Sequence, residues 1–372
     1  MSLSSRAVSR RSLFVATGRW FLPTSPQVSP VAARGEAGSL GSWVGDDACR
    51  ARIDVHHHFS APAWVDWAES QGLLQRQELP WWAHWNVDAT LALMDRVGIA
   101  TAILTPAMPV RYRSAAQWRE GVTIAFQAIT DLMSAHPGRF AFFAPLFLDD
   151  LDVSLWALRY ALDELGAVGV SVRANYNGVY LGDPSYDRVF AELDERAAVL
   201  ATHPHDLRGS SPDVLTVPGI PNFMCDFMLD TTRAAANLIL NRTLDRYPCL
   251  SIILPHAGGF LPYIATRIEV SGRFCAPPID GARVRDYLHR FYYDTAAPMS
   301  PSVTPTLVAT VAPDRILFGT DLPATPASTL SDIVIPALNA DHVLTNRQRR
   351  GINRDNALRL MPRLAHNSPS RN

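Results

Sequence analysis

The chain contains no lysine. All 34 of its basic residues are arginine, so chemistry that needs a lysine amine, such as a Schiff base with a carbonyl substrate, is excluded. A centre in which a modified lysine bridges two metals is excluded with it. Cysteine is scarce: Cys49, Cys225, Cys249 and Cys275 lie far apart and form no C-x-x-C pair. That argues against a disulfide scaffold and against a cysteine-rich zinc module. No apolar run reaches the ~20 residues of a membrane-spanning helix, so no membrane partner is expected. Excess charge is missing too. The net charge is −1 over 372 residues, with no long basic block, so nucleic acid is not expected as a partner.

What is present is ordinary for a globular protein, with 48% hydrophobic residues. Residues 1–50 stand apart, with six arginines and no acid before Glu36. "SRRSLFVATG" (9–18) has the form of a twin-arginine export signal, although Arg19 interrupts the apolar stretch behind it. A transit peptide, a disordered extension and a start codon assigned too far upstream are the alternatives. The folded domain is therefore expected over 51–365, in a cytoplasmic protein, with export as the alternative.

From Arg52 onward, eight apolar runs alternate with helical patterns: 52–59, 100–107, 139–146, 167–174, 198–205, 249–257, 291–297 and 315–322. The runs are near-continuous rather than alternating, which suits parallel strands covered on both faces. The segments between them read as helices. "DVSLWALRYALDELG" places Leu155, Leu158, Leu162 and Leu165 on one stripe, with Asp152 as cap and Gly166 at the end. "GDPSYDRVFAELDERA" begins with Asp183 as cap and Pro184 at the first helical position. "VDATLALMDRVG" ends at Gly98. Eight such units over roughly 275 residues predict an α/β fold, a (β/α)8 TIM barrel of the metal-dependent hydrolase type. A doubly wound sheet is the runner-up, but the Gly-rich phosphate fingerprint it requires is missing after the first strand.

Barrel chemistry gathers at the C-terminal strand ends. There the sequence places His56-His57-His58 (strand one), His203 (five), His256 (six) and Asp321 (eight). Alternation turns His56 and His58 to one side and His57 to the other. His56, His58, His203 and Asp321 thus form a three-histidine, one-carboxylate set for one divalent metal. Such a set suits Zn²⁺ and accepts Mn²⁺ or Fe²⁺. His205 is an alternative to His203, read as loop. His84, His136, His289, His342 and His366 read as ordinary structural or surface residues. Asp54 shares a side with His56 and either orients a ligand imidazole or pairs with an arginine. Asp294, at the end of strand seven, holds a ligand or His256. His256 on its own is either a core histidine or part of the site.

The motifs "IDVHHHF", "VLATHPHDL", "ILPHAGGFLPYIATRI", "FYYDTA" and "RILFGTDLP", in this order from about Arg52 to about Arg359, resemble the amidohydrolase-related family of metal-dependent decarboxylases. That family includes 2-amino-3-carboxymuconate-6-semialdehyde, γ-resorcylate and 6-methylsalicylate decarboxylases. "DTTRAAANLIL" (230–240) and "ALDELGAVGV" (161–170) are most similar to the 6-methylsalicylate branch. The resemblance implies that His56, His58, His203 and Asp321 are the metal ligands and that His256 is the catalytic histidine. It also implies that Arg267 contacts a substrate carboxylate across a subunit interface, and hence a homodimer. A structural arginine at a helix end is the other reading of Arg267. Leu322 and Ala324, and Met228 and Leu229, depart from the family's pattern at the pocket wall and leave the substrate open.

The expected activity is non-oxidative decarboxylation of a small hydroxyaryl or enoate carboxylic acid. Asp321 or His256 would deliver the proton and Arg267 or Arg173 would anchor a carboxylate. Trp81, Trp82 and Trp85 are read as an aromatic lid, with Trp85 taken as the substrate contact, or as a buried loop. Hydrolysis of a lactone or amide on the same site is the alternative. A non-catalytic metal- or ligand-binding barrel is the third reading.

Overall fold

A computed structural model of the chain describes residues 51–108, 110–205, 220–296 and 300–366. The 1–50 extension and its export motif lie outside the described residues. The eight expected runs form eight parallel strands in one sheet. They are β1 (Arg52–Phe59), β2 (Ile99–Pro106), β3 (Phe140–Pro145), β4 (Gly169–Arg173), β7 (Val199–His203), β8 (Ser251–Leu254), β9 (Tyr292–Asp294) and β10 (Ile316–Leu317). A two-stranded hairpin, β5 (Asn175–Tyr176) with β6 (Val179–Tyr180), follows β4 and is separate from the barrel.

The first and last strands meet and close the ring. Val55 N–H donates to the Phe318 carbonyl at 2.9 Å, Asp321 N–H to His56 at 2.9 Å and His58 N–H to Leu322 at 2.6 Å. These bonds place the segment carrying Asp321 directly beside the histidines of β1. Two apolar layers explain why the strands read as continuous. Ile53, Val55, Ile103, Phe143, Ala201, Ile253 and Leu317 fill the barrel, and Met361 and Leu364 belong to the same inner cluster. Leu104, Phe142, Val172 and Leu254 face outward against helix residues such as Val122, Phe126 and Leu158. Burial on both faces removes the polar alternation of a half-exposed sheet.

Two expectations shift in detail. Asp150, not Asp152, caps the helix Leu151–Arg159; its carboxylate accepts the N–H groups of Asp152 and Val153 at 3.1 Å. The geometry at the N-terminus wants the acceptor before the first turn, and the double aspartate offers two registers. The runs 249–257 and 315–322 also extend past the strands they contain. After Leu254 the backbone turns at His256 and Ala257, with φ of 53° and 56°, and Asp321 has φ 60°. Those values lie in the left-handed region, outside strand geometry and uncommon for residues with a Cβ. His256 and Asp321, the two expected site residues among them, sit two and four residues past the ends of β8 and β10.

A candidate metal centre at the barrel rim

On β1 the register slips. Asp54 lies opposite Ala102 and His57 opposite Leu104, so three steps on β1 match two on β2. The bulge lets Ile53 and Val55 face the barrel core while His56 and His58 face the site above it. It also corrects the expectation for Asp54, which turns to His57's side rather than to His56's ring. The Asp54 carboxylate accepts from His57 Nδ1 at 3.0 Å and Thr320 Oγ1 at 2.6 Å. It also accepts the N–H groups of His56 at 3.1 Å and Thr320 at 3.0 Å. Asp54 therefore ties the β1 rim to the segment that carries Asp321.

His56, His58, His203 and Asp321 come together, their potential ligand atoms all within 4.8 Å of one another. The ring of His56 lies 5.2 Å from those of both His58 and His203, and His58 lies 4.8 Å from His203, centre to centre. The outward nitrogens are tied down. His56 Nδ1 donates to Asp294 at 2.7 Å and His203 Nδ1 to the Pro204 carbonyl at 2.7 Å. Both rings therefore turn Nε2 towards the centre. Asp321 Oδ1 lies 2.8 Å from His58 Nε2 and 3.3 Å from His56 Nε2.

The donor set fits one divalent cation. His56 Nε2 is buried without a hydrogen-bond partner. A buried, unsatisfied nitrogen costs about 1–3 kcal/mol, which a metal ion at this point would offset. Three imidazoles and one carboxylate are a zinc-type set. Without an ion the charges compete, and a cation bound here would displace the proton that His56 otherwise keeps. Burial pulls the His56 imidazolium down, but the charge and hydrogen bond of Asp294, with Asp321, hold it well above the ordinary histidine range. Burial and the neighbouring imidazoles push His203 well below that range. Burial also lowers His58, more than Asp321 restores it. Burial would raise Asp321, but the neighbouring imidazoles of His256, His56 and His58 outweigh it and keep this carboxylate well below the usual range. The pocket is built to hold an ionised Asp321 against a concentration of positive charge.

Asp294 touches both His56 and the His256 turn. One oxygen takes His56 Nδ1, and the other accepts the backbone N–H of His256 at 2.8 Å and of Ala296 at 3.0 Å. His256 then aims its Nε2 at Asp321 Oδ2, 3.7 Å away. The turn carrying it depends on glycine: a Cβ on Gly259, whose φ is 64°, would meet the Met228 carbonyl oxygen at 2.3 Å. Gly319 matters as much. A Cβ there would lie 3.0 Å from His56 Cβ and 3.1 Å from Asp294 Cβ. Gly319→Ala is accordingly expected to push His56 off its position and weaken metal binding by about tenfold or more. Competition with a chromogenic chelator measures this; unchanged affinity would show that the rim absorbs the methyl group.

The substrate-side residues divide. Arg173 is the last residue of β4, opposite His203 in register, with its guanidinium 5.4 Å from the Phe147 ring centre. Among the described residues it makes no ion pair. Trp85 packs away from the expected position, edge-on against Phe59 at 4.8 Å and against Phe140 at 6.4 Å. Phe59 belongs to the outer apolar layer. Trp82 is the tryptophan beside the site, its ring 5.8 Å from that of His58. Arg267 is exposed on the helix Leu261–Ser271 and does not reach the cluster within one chain. Phe227, 6.2 Å from His203, escapes the sequence reading. It sits 24 positions further on with no strand-end signal.

Residues 53–363 match the amidohydrolase family. Among curated proteins, the chain is 30% identical over 328 residues to decarboxylase yanB of Aspergillus niger, covering 84% of this chain and 88% of that one. It is also 30% identical over 332 residues to 6-methylsalicylic acid decarboxylase of Penicillium expansum, covering 84% of this chain and 97% of the other. The crystal structure of 2,6-dihydroxybenzoate decarboxylase from Rhizobium superposes with a TM-score of 0.68 at 25% identity, over 84% of this chain and 99% of that one.

Proposed function

This chain belongs to the amidohydrolase family, and on that premise we propose that it is a metal-dependent decarboxylase of a small hydroxyaryl carboxylic acid of the 6-methylsalicylate kind. The observation that carries the reading is the convergence of three imidazoles and Asp321 at the rim, with His256 beside them. The near-full-length similarity to proteins named as decarboxylases supports the choice of reaction over hydrolysis. A divalent ion in this set, Zn²⁺ by its ligands with Mn²⁺ the alternative, would supply Lewis-acid polarisation and a template for the acid.

The chain's own groups do the rest. Arg173 offers a bidentate partner to a carboxylate from the β4 side. Trp82 and Phe227 flank the ligand histidines and provide apolar walls for a ring. In the reaction the bond between ring carbon and carboxylate breaks, CO₂ leaves, and a proton takes its place on the carbon. Asp321 is held in its ionised form, which favours His256 as the group that delivers this proton.

A homodimer completes the reading. Phe260, Tyr263, Val270 and Phe274 are 40%, 83%, 61% and 77% exposed. With Arg267 they recur at three- and four-residue steps along one face of the helix Leu261–Ser271 and its continuation. An exposed apolar stripe of this kind is a partner surface, and a second copy seated on it would carry Arg267 towards the neighbouring site.

The test is a screen of salicylate-type acids, including 6-methylsalicylate and 2,6-dihydroxybenzoate, for CO₂ release, run beside lactone hydrolysis. Stoichiometric CO₂ and decarboxylated arene, lost on chelation and restored by Zn²⁺ or Mn²⁺, is expected. Lactone hydrolysis without CO₂ from any acid would replace this reading with the hydrolase.

A further inference from the structure

The motif "DTTRA" begins at Asp230, a carboxylate fully buried inside the helix Asn222–Leu240. A buried acid in a core-facing helix is costly unless it is engaged, and this one is. Its Oδ1 accepts Asn175 Nδ2 at 2.8 Å and its Oδ2 accepts the backbone N–H of His205 at 2.8 Å. Both oxygens thus face donors, as an ionised carboxylate requires. Two residues further on, Thr232 Oγ1 accepts Phe260 N–H at 2.8 Å, at the end of the loop that carries His256. One stretch of this helix therefore grips two rim loops.

The peptide that Asp230 grips joins Pro204 to His205. Its N–H donates to Asp230, and its carbonyl accepts His203 Nδ1 at 2.7 Å. The planar peptide couples the two bonds, because orienting one end orients the other. We infer that Asp230 is a positioning residue for the metal centre, acting on the ligand His203 through the Pro204–His205 peptide. It plays for His203 the part that Asp294 plays directly for His56. The buried carboxylate polarises the peptide, and the carbonyl becomes a stronger acceptor for His203 Nδ1–H. The ring is thereby held in the tautomer and rotamer that aim Nε2 at the ion, and its basicity as a ligand rises. The aspartate and the histidine are 27 positions apart in sequence, and no side chain of one touches that of the other.

This inference rests on the metal-site reading, and the experiment separates the two. Metal affinity of the full-length protein is measured by chelator competition with Zn²⁺ and with Mn²⁺, for wild type, Asp230→Asn, His203→Ala and the double variant. Asp230→Asn is expected to weaken binding about 10–100-fold, the range for residues that orient a metal ligand. In the His203→Ala background the same change is expected to have little further effect, since the ring it positions is gone. A merely structural role would instead weaken binding equally in both backgrounds, and that result overturns the inference. So does unchanged affinity in Asp230→Asn. Wild-type protein that binds neither ion defeats the metal-site reading itself. A second measurement needs no metal: ¹⁵N-histidine spectra of the metal-free protein should show His203 as the Nδ1-protonated tautomer in wild type and as a mixture in Asp230→Asn. Identical spectra would count against the inference.

Discussion

Replacing His256 is expected to lower turnover by about 10²–10⁴-fold, the usual contribution of a positioned acid or base, while the protein keeps its metal. His256 Nε2 faces Asp321 Oδ2 at 3.7 Å, too far for a strong hydrogen bond but directly beside the ligand set. His256 Nδ1 is buried without a partner, and the ring is not part of the ligand cluster. The residue is held by its backbone instead, through its N–H on Asp294. The choice of variant matters because His256 has φ 53°. Asparagine tolerates that region better than alanine does, so His256→Asn separates loss of the imidazole from strain in the turn. Both variants should show near-zero CO₂ release with metal content, measured by mass spectrometry after dialysis, equal to wild type. Turnover retained in both would remove His256 from the chemistry. Metal lost from both would mean that the turn, rather than the ring, was the sensitive part.

The same backbone detail explains which parts of the molecule were legible in the sequence. The barrel was readable because each strand is buried on both faces and each helix carries an apolar stripe. Strand ends then located every histidine of the cluster. What alternation does not convey is a bulge. Counting by twos puts Asp54 beside His56, and one inserted residue between Asp54 and His57 moves its carboxylate to His57 and Thr320. Trp85 is misplaced for a related reason. Within "WWAHW" a short 3-10 turn at Trp81–Ala83 decides which ring meets the site, and it selects Trp82 over Trp85. Phe227 and Asp230 were hidden by distance along the chain, since each reaches the site only through the packing of its helix against the rim.

The largest expected contrast concerns three adjacent residues of one type. His56→Ala and His58→Ala should each lose metal, with affinity falling by more than the ~100-fold ceiling for residues that only orient a ligand. His57→Ala should retain it. His56 offers a buried Nε2 that faces Asp321 Oδ1 at 3.3 Å, and its Nδ1 is braced by Asp294. Removing that ring takes away one member of the proposed donor set and strands the Asp294 oxygen that received it. His57 is as deeply buried as its neighbours, yet its Nδ1 goes to Asp54, on the far side of the strand from the cluster. Without His57, Asp54 still accepts from Thr320 Oγ1 and from the N–H groups of His56 and Thr320. The clamp between β1 and the Asp321 segment therefore survives. The cost of His57→Ala falls on stability: a small cavity plus one lost buried hydrogen bond, about 2–4 kcal/mol together. That predicts a melting temperature several degrees lower, with one equivalent of metal still bound. Chemistry and stability should thus separate within three residues. Were His57→Ala to lose its metal while His56→Ala kept it, the assignment of faces on β1, and with it the bulge, would be wrong.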